Sequence, residues 1–210
     1  MKKVSRLTVL LTFLILLVPT FAVGQTDRKM MHREVPEDAF IPASHDNRET
    51  SPAYTFRNDI FFTTQVNVDA DGFNIYNDAA NEPSIAVDPT NPDRMLIGWR
   101  QFDNISSNFR QAGFGYTEDG GETWTFPGVI DPGQFRSDPV LDVDSEGNFY
   151  YNSLTHDAID DFVCDVFKID AGGFEWDEGT FAQGGDKQWM VIDRSGGQGD
   201  GHIYSFWTQY

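Results

Sequence analysis

The sequence predicts an all-β domain built by repetition, and three observations carry that prediction. From Phe56 onward the chain runs in short stretches rich in Val, Ile, Phe and Tyr, broken every few residues by Gly, Asp, Asn or Pro. That is the pattern of strands and turns. Beyond the amino-terminal apolar run, no stretch sustains a helical period. Finally, three segments align: EPSIAVDPTNPDRMLIGW from Glu82, DPVLDVDSEGNFYYNSL from Asp138 and KQWMVIDRSGGQGDGHIYSFW from Lys187. Each is an apolar strand ending in an acid, a turn of Pro, Gly, Asn, Asp or Ser, and a second apolar strand.

The chain begins with Lys2, Lys3 and Arg6, continues with an apolar run from Leu7 to Val18, and then offers small residues at Ala22 and Gly24. This predicts a secretory signal over residues 1–24. The run is shorter than the roughly 20 residues a spanning helix needs. A secreted or cell-surface protein without a membrane span is therefore expected. Loss of the signal removes three cations and no acid, so 15 Lys+Arg become 12 against 33 Asp+Glu, a net charge of −21. Such a charge disfavours nucleic acid and anionic membrane surfaces as partners. Cys164 is the sole cysteine, so no internal disulfide can form; it reads as a buried, inert thiol.

Residues 25–55 carry Pro36, Pro42 and Pro52 without a sustained period, and read as a leader or linker able to wrap the domain. Residues 56–210 are the repeating part. A partial unit opens it, full units lie near 82–130 and 137–181, and a further one starts at Asp186. The turn acids Asp88, Asp144 and Asp193 are 56 and 49 residues apart. A second marker keeps the same period: TEDGGETW at Thr117 to Trp124 returns as KIDAGGFEW, Asp119 and Asp170 being 51 residues apart. Asp170 and Gly172 keep their places, Trp176 falls one residue late, and Lys168 replaces Thr117. A unit of about 50 residues with four short strands matches a β-propeller blade.

Within that unit the TEDGGETW turn joins the third and fourth strands. Asp119 is expected to accept turn N–H groups, Thr117 to add a hydroxyl contact, and Gly120 and Gly121 to supply positive φ. Trp124 is expected to bury its ring between blades, its indole N–H meeting a partner near the turn.

Thr117 to Trp124 fits the S/T-x-D-x-G-x-T-W pattern at every fixed position. With NEPSIAVDPTNP and FRSDPVLDVDSEGNFYYNSL, the chain resembles the sialidase-like Asp-box (BNR repeat) β-propellers of exported bacterial proteins, from roughly Phe61 to its end. That resemblance implies a six-bladed ring, of which about the N-terminal half is present: a fragment, or a chain whose halves self-associate if it ends at Tyr210. It implies an exo-α-sialidase type of glycoside hydrolase acting on terminal sugars of extracellular glycans or glycoproteins. The alternative is a non-catalytic propeller that binds glycan or protein.

In that family three arginines hold the substrate carboxylate, an aspartic acid is the general acid/base, and a tyrosine paired with a glutamate is the nucleophile. The family's first arginine lies in an F/Y-R-I-P motif; FRND at Phe56 to Asp59 keeps Arg57 and lacks Ile and Pro. The acid/base aspartate lies in a loop that corresponds to RQFDNISSNFRQAG, which makes Asp103 the catalytic candidate and Arg100 and Arg110 substrate contacts. A solvated loop with scattered charge is the competing reading. Arg136 in GQFRSDPV is a further substrate contact or a partner for Asp138. No cofactor is expected, although DVDSEGN sets Asp142, Asp144 and Glu146 at alternate positions, as in the start of a calcium loop. Position twelve of that loop is Ser153, and the hairpin alignment accounts for the same acids as strand end and turn. His32, His45, His156 and His202 have no metal-ligand spacing.

Overall fold

Each aligned segment forms a hairpin whose acid closes its own turn. A computed structural model describes residues 37–42, 48–158 and 161–208. Those from Asp38 onward belong to one compact unit, Asp38–Gln209. The signal reading over 1–24, most of the leader, His32 and His45 lie outside the described residues. Asp88, Asp144 and Asp193 accept the N–H groups of Thr90, Glu146 and Ser195 at 2.8, 3.0 and 2.8 Å. An aspartate at a strand end satisfies the donors that a tight reversal leaves open, so this geometry is local and recurs with the sequence.

Among the described residues the structure is all-β, without helix. No helix there is long and apolar enough to cross a membrane. Strands β1 (Thr50–Pro52) and β4 (Phe73–Ile75) pair, as do β2 (Thr55–Arg57) and β3 (Phe62–Thr64). Next comes an antiparallel four-stranded meander of β5 (Ala79–Val87), β6 (Met95–Phe102), β7 (Arg110–Thr117) and β8 (Thr125–Ile130). The second meander holds β9 (Ser137–Val143), β10 (Phe149–His156), β11 (Phe162–Ile169) and β12 (Thr180–Phe181). β13 (Asp186–Ile192) and β14 (Ile203–Thr208) form the last pair. The first strands β5, β9 and β13 lie side by side. No sheet closes on itself among the described residues.

Ordered pairing begins inside the segment read as leader, since β1 lies within it. Asp38 and Asn108 exchange two bonds, at 2.6 and 2.9 Å, and Phe40 packs on Phe109 at 5.3 Å between centroids. This part of the leader therefore lies along the loop before β7.

The first strand of every sheet carries the same irregularity. Glu82, Asp138 and Lys187 have φ of 52°, 47° and 55°, and each sits at a break in strand register. The repeat is thus written into the backbone, as a bulge at one point of three successive units.

Stacking follows from strand alternation. One face of the first meander, with Ala86, Leu96, Ala112 and Phe114, packs on Leu141, Val143, Phe149, Tyr151, Phe167 and Ile169 of the second. Gly98 sits where the two sheets approach most closely: a Cβ there would come within 2.6 Å of Leu141 Cδ1 and would also strike the Tyr151 ring. The opposite face of the second meander, with Leu154 and Cys164, is fully buried, and Met190 and Ile192 of β13 are buried beside it. Burial pushes the Cys164 thiol up to about 12, so it is inert near neutrality, in accord with its expected character.

Candidate functional site

The Asp-box turn forms a closed local network. Thr117 Oγ1 donates to Asp119 Oδ1 at 2.7 Å and accepts the Gly121 N–H at 3.1 Å. Asp119 also accepts the Thr123 N–H at 2.9 Å and the Thr123 hydroxyl at 2.6 Å. Gly120 and Gly121 take φ of 72° and 89°, a region that costs a side-chain-bearing residue strain. The Thr123 hydroxyl and N–H, with the Thr117 hydroxyl, hold the Asp119 carboxyl at about 2. A depressed pKa stabilises the fold above the ordinary value of 3.8, and that contribution is lost as pH falls through about 2. Asp119 is expected to remain mostly ionised at pH 3, which its carboxyl carbon shift would report; a midpoint near 3.8 would refute the network's role.

Trp124 departs from expectation. Its indole N–H donates to the Gly121 carbonyl at 3.2 Å, and its ring lies over Gly121 of its own turn. Trp176, the displaced member of the imperfect copy, is the one that enters between the sheets. It meets Phe114 of the first meander and Tyr151 of the second edge-on, at 5.5 and 5.6 Å. The one-residue delay changes where the ring points. In this copy Lys168 pairs with Asp170 at 2.7 Å, and Asp170 is left largely exposed. Gly172 keeps its positive φ of 78°. Asp177 takes over the turn, accepting the N–H groups of Lys168 and Gly179 at 2.9 and 3.0 Å.

Asp103 lines a surface cleft of about 300 Å³ with Arg48, Glu49, Tyr76, Asn77 and Asn104. Three backbone segments converge there: the residues before β1, those after β4 and those after β6. The Tyr76 N–H donates to the Glu49 carbonyl at 2.8 Å, and the Ile105 N–H to the Asn77 carbonyl at 3.2 Å. Arg48 donates to the Asp103 carbonyl at 3.0 Å and faces Asp78 at 3.5 Å. Asp78 also accepts from Gln101 at 2.7 Å, and Gln101 in turn accepts the Trp99 indole N–H at 2.6 Å. Gln111 holds the Asp103 carboxylate through both oxygens, at 3.3 and 3.4 Å. The result is a polar cleft with one exposed aromatic side and firmly seated side chains.

Arg100, Arg110 and Arg136 do not line this cleft. Arg100 donates to Asn81 at 2.8 Å and pairs with Glu82 at 2.9 Å, on the strand opposite. Arg110 is buried over Phe135 and donates to Ser137 at 3.1 Å. Arg136 is buried over Phe167, and its two terminal nitrogens bind Asp131 and Asp165, each at 2.7 Å. Its partner is thus not Asp138, whose carboxylate takes the Ser137 hydroxyl and Lys187 instead. The reason is φ of 47° at Asp138, which turns it away from the strand alternation that would set it beside Arg136. Arg57 pairs on the surface with Glu122.

Asp142 and Asp144 point apart. Asp142 accepts the Ile192 N–H of β13 at 2.7 Å and pairs with Arg194. Asp144 accepts the N–H groups of Glu146 and Asn148 and the Tyr150 hydroxyl. Among the described residues no three His, Cys, Asp or Glu side chains are grouped to hold a metal ion.

Sequence reasoning missed Arg48, Tyr76 and Asn77. The available signal was an arginine inside a proline-flanked leader and a lone tyrosine before Asn and Asp; neither specifies a cleft until β1 and β4 pair.

Fold and cleft together define an all-β protein of stacked antiparallel meanders with one polar, aromatic-sided cleft at the start of the first full sheet. The chain matches no protein-family model and no curated protein.

Proposed function

We propose that the chain is an exported Asp-box β-propeller of the sialidase-like kind, and that it holds a terminal sugar of an extracellular glycan in the Asp103 cleft without cleaving it. The observation that carries the binding reading is the cleft lining. Tyr76 is 61% exposed and offers an aromatic face to sugar C–H groups. Arg48, Glu49, Asn77, Asp103 and Asn104 supply the donors and acceptors that hydroxyl groups require. A cleft of about 300 Å³ lies at the small end of ligand sites, which run from roughly 300 to 1,000 Å³. The propeller reading is supported by two four-stranded meanders and the opening pair of a third, with first strands adjacent and the same bulge in each. The Thr117 to Trp124 turn supports the Asp-box assignment, and the amino-terminal charge and apolar pattern supports export.

Binding is favoured over hydrolysis because the arginines that resemblance assigns to a substrate carboxylate are occupied elsewhere. Arg136 is committed to Asp131 and Asp165, Arg100 to Asn81 and Glu82. The test is retention on immobilised sialylated and desialylated oligosaccharides, beside a fluorogenic sialoside assay from acid to neutral pH. Expected are retention without sugar release, and about tenfold weaker retention in Tyr76→Ala. Sugar release that disappears in Asp103→Asn would replace this reading by the glycosidase one. Failure to bind any oligosaccharide would remove the glycan.

A further inference from the structure

Two apolar sheet faces remain uncovered, and they are of opposite kinds. Strand alternation gives every first strand a leading face and a trailing face. In β9 the leading face is Leu141 and Val143; its counterparts are Ile85 and Val87 in β5, and Met190 and Ile192 in β13. Val140 and Asp142 form the trailing face of β9, with Ser84 and Ala86 as counterparts in β5, and Trp189 and Val191 in β13.

Both internal junctions obey one rule: the trailing face of one sheet meets the leading face of the next. At the first, the Leu141 N–H donates to Ser84 Oγ at 2.9 Å. At the second, the Ile192 N–H donates to Asp142 Oδ2 at 2.7 Å, and Asn152 donates to Ser205 at 3.2 Å. Leading residues Leu141, Val143, Met190 and Ile192 are buried in consequence, while Ile85 and Val87, with no sheet before them, are exposed by 51% and 42%. On the trailing side of β13 and β14, Trp189 pairs across the strands with Phe206, and Val191 with Tyr204. Those four large side chains share one face, and Trp189 and Phe206 are 58% and 62% exposed.

We infer that a second copy of this chain docks there, head to tail, the Ile85 and Val87 face of one copy seated on the Trp189, Val191, Tyr204 and Phe206 face of the other. The occupant is argued from continuity with the two existing junctions. A trailing face is covered by a leading face of the same repeat in both of them, and β5 carries such a face uncovered. The matching positions set the register: Trp189 faces Ile85 as Ser84 faces Leu141, and Val191 faces Val87 as Asp142 faces Ile192. Contact between unlike patches is heterologous, so it closes into a ring or grows into an open chain of copies. The net charge of −18 opposes association, and added salt relieves that opposition.

Sedimentation of the full chain over a wide concentration range, at low and high salt, tests this. Expected is concentration-dependent self-association that strengthens with salt and is abolished in Trp189→Asp, whose exposed site leaves melting unchanged. A monomer at every concentration would overturn the inference. Orientation is read by mixing two singly substituted chains, Val87→Cys and Val191→Cys, under oxidising conditions. Mixed disulfide-linked dimers support the head-to-tail junction. Dimers formed mainly by Val191→Cys alone would mean face-to-face stacking of like surfaces, and would overturn it. Since neither readout involves sugar, failure here is distinct from failure of the glycan reading.

Discussion

Arg94→Ala is expected to cost about 3 to 5 kcal/mol, the largest effect of any single surface-distant polar change in this fold. Arg94 is 4% exposed and serves three acceptors in two sheets. It donates to Asp88 at 3.1 Å within its own hairpin, to the Gly147 carbonyl at 2.9 Å in the next hairpin, and to the Gly173 carbonyl at 2.7 Å in the following turn. Its guanidinium also lies over the Phe149 ring at 4.5 Å. Truncation leaves Asp88, itself 3% exposed, as a buried carboxylate without its cation, and two carbonyls without donors. That loss is a large fraction of the roughly 5 to 15 kcal/mol that holds a domain folded.

The pH dependence of this loss carries a sign. Burial of Asp88 works to raise its pKa, yet bonds from Thr90, Arg94 and Asn91 outweigh it and hold the carboxyl below its ordinary value. In the wild type this contribution is present above the unfolded value and declines as pH falls through the lower folded one. Without Arg94 the folded value rises. The gap between variant and wild type therefore narrows in acid, where protonation removes the buried charge. Urea unfolding at neutral and mildly acidic pH measures both; a gap below 1 kcal/mol at neutrality, or one that widens in acid, contradicts the account.

Trp176→Ala is expected to cost about 3 kcal/mol, and Trp124→Ala only about 1 kcal/mol. The order is the reverse of what motif quality suggests, because Trp124 belongs to the perfect Asp-box and Trp176 to the imperfect one. Trp176 fills the space between Phe114 and Tyr151 and joins the common core of both meanders, so its removal opens a cavity there. Trp124 covers its own turn. Thermal or urea unfolding of the two variants decides it, and equal losses would show that both rings do the same work.

The cleft illustrates how partially a site is read from a chain. Asp103 is legible because it stands in a loop between strands, and it does line the cleft. Arg110 and Arg136 are equally legible as arginines near strand starts, yet both turn inward to Ser137, Asp131 and Asp165. Nothing in their spacing distinguishes an arginine that meets solvent from one that closes a seam. Arg48 and Tyr76 lie 28 positions apart and have no shared period, so only the pairing of β1 with β4 brings them together.

The sequence by itself determined the all-β class, the repeat of about 50 residues and the chemistry of the turns. These depend on interactions between residues two to four positions apart, such as Asp88 with Thr90 or Asp119 with Thr123, which follow the chain wherever the motif occurs. Tertiary structure alone decided which tryptophan enters the core, which acid Arg136 binds, how Arg94 ties two sheets together and where the cleft opens. Those contacts join residues tens of positions apart, and they depend on how sheets stack and on which side of each strand a bulge has turned.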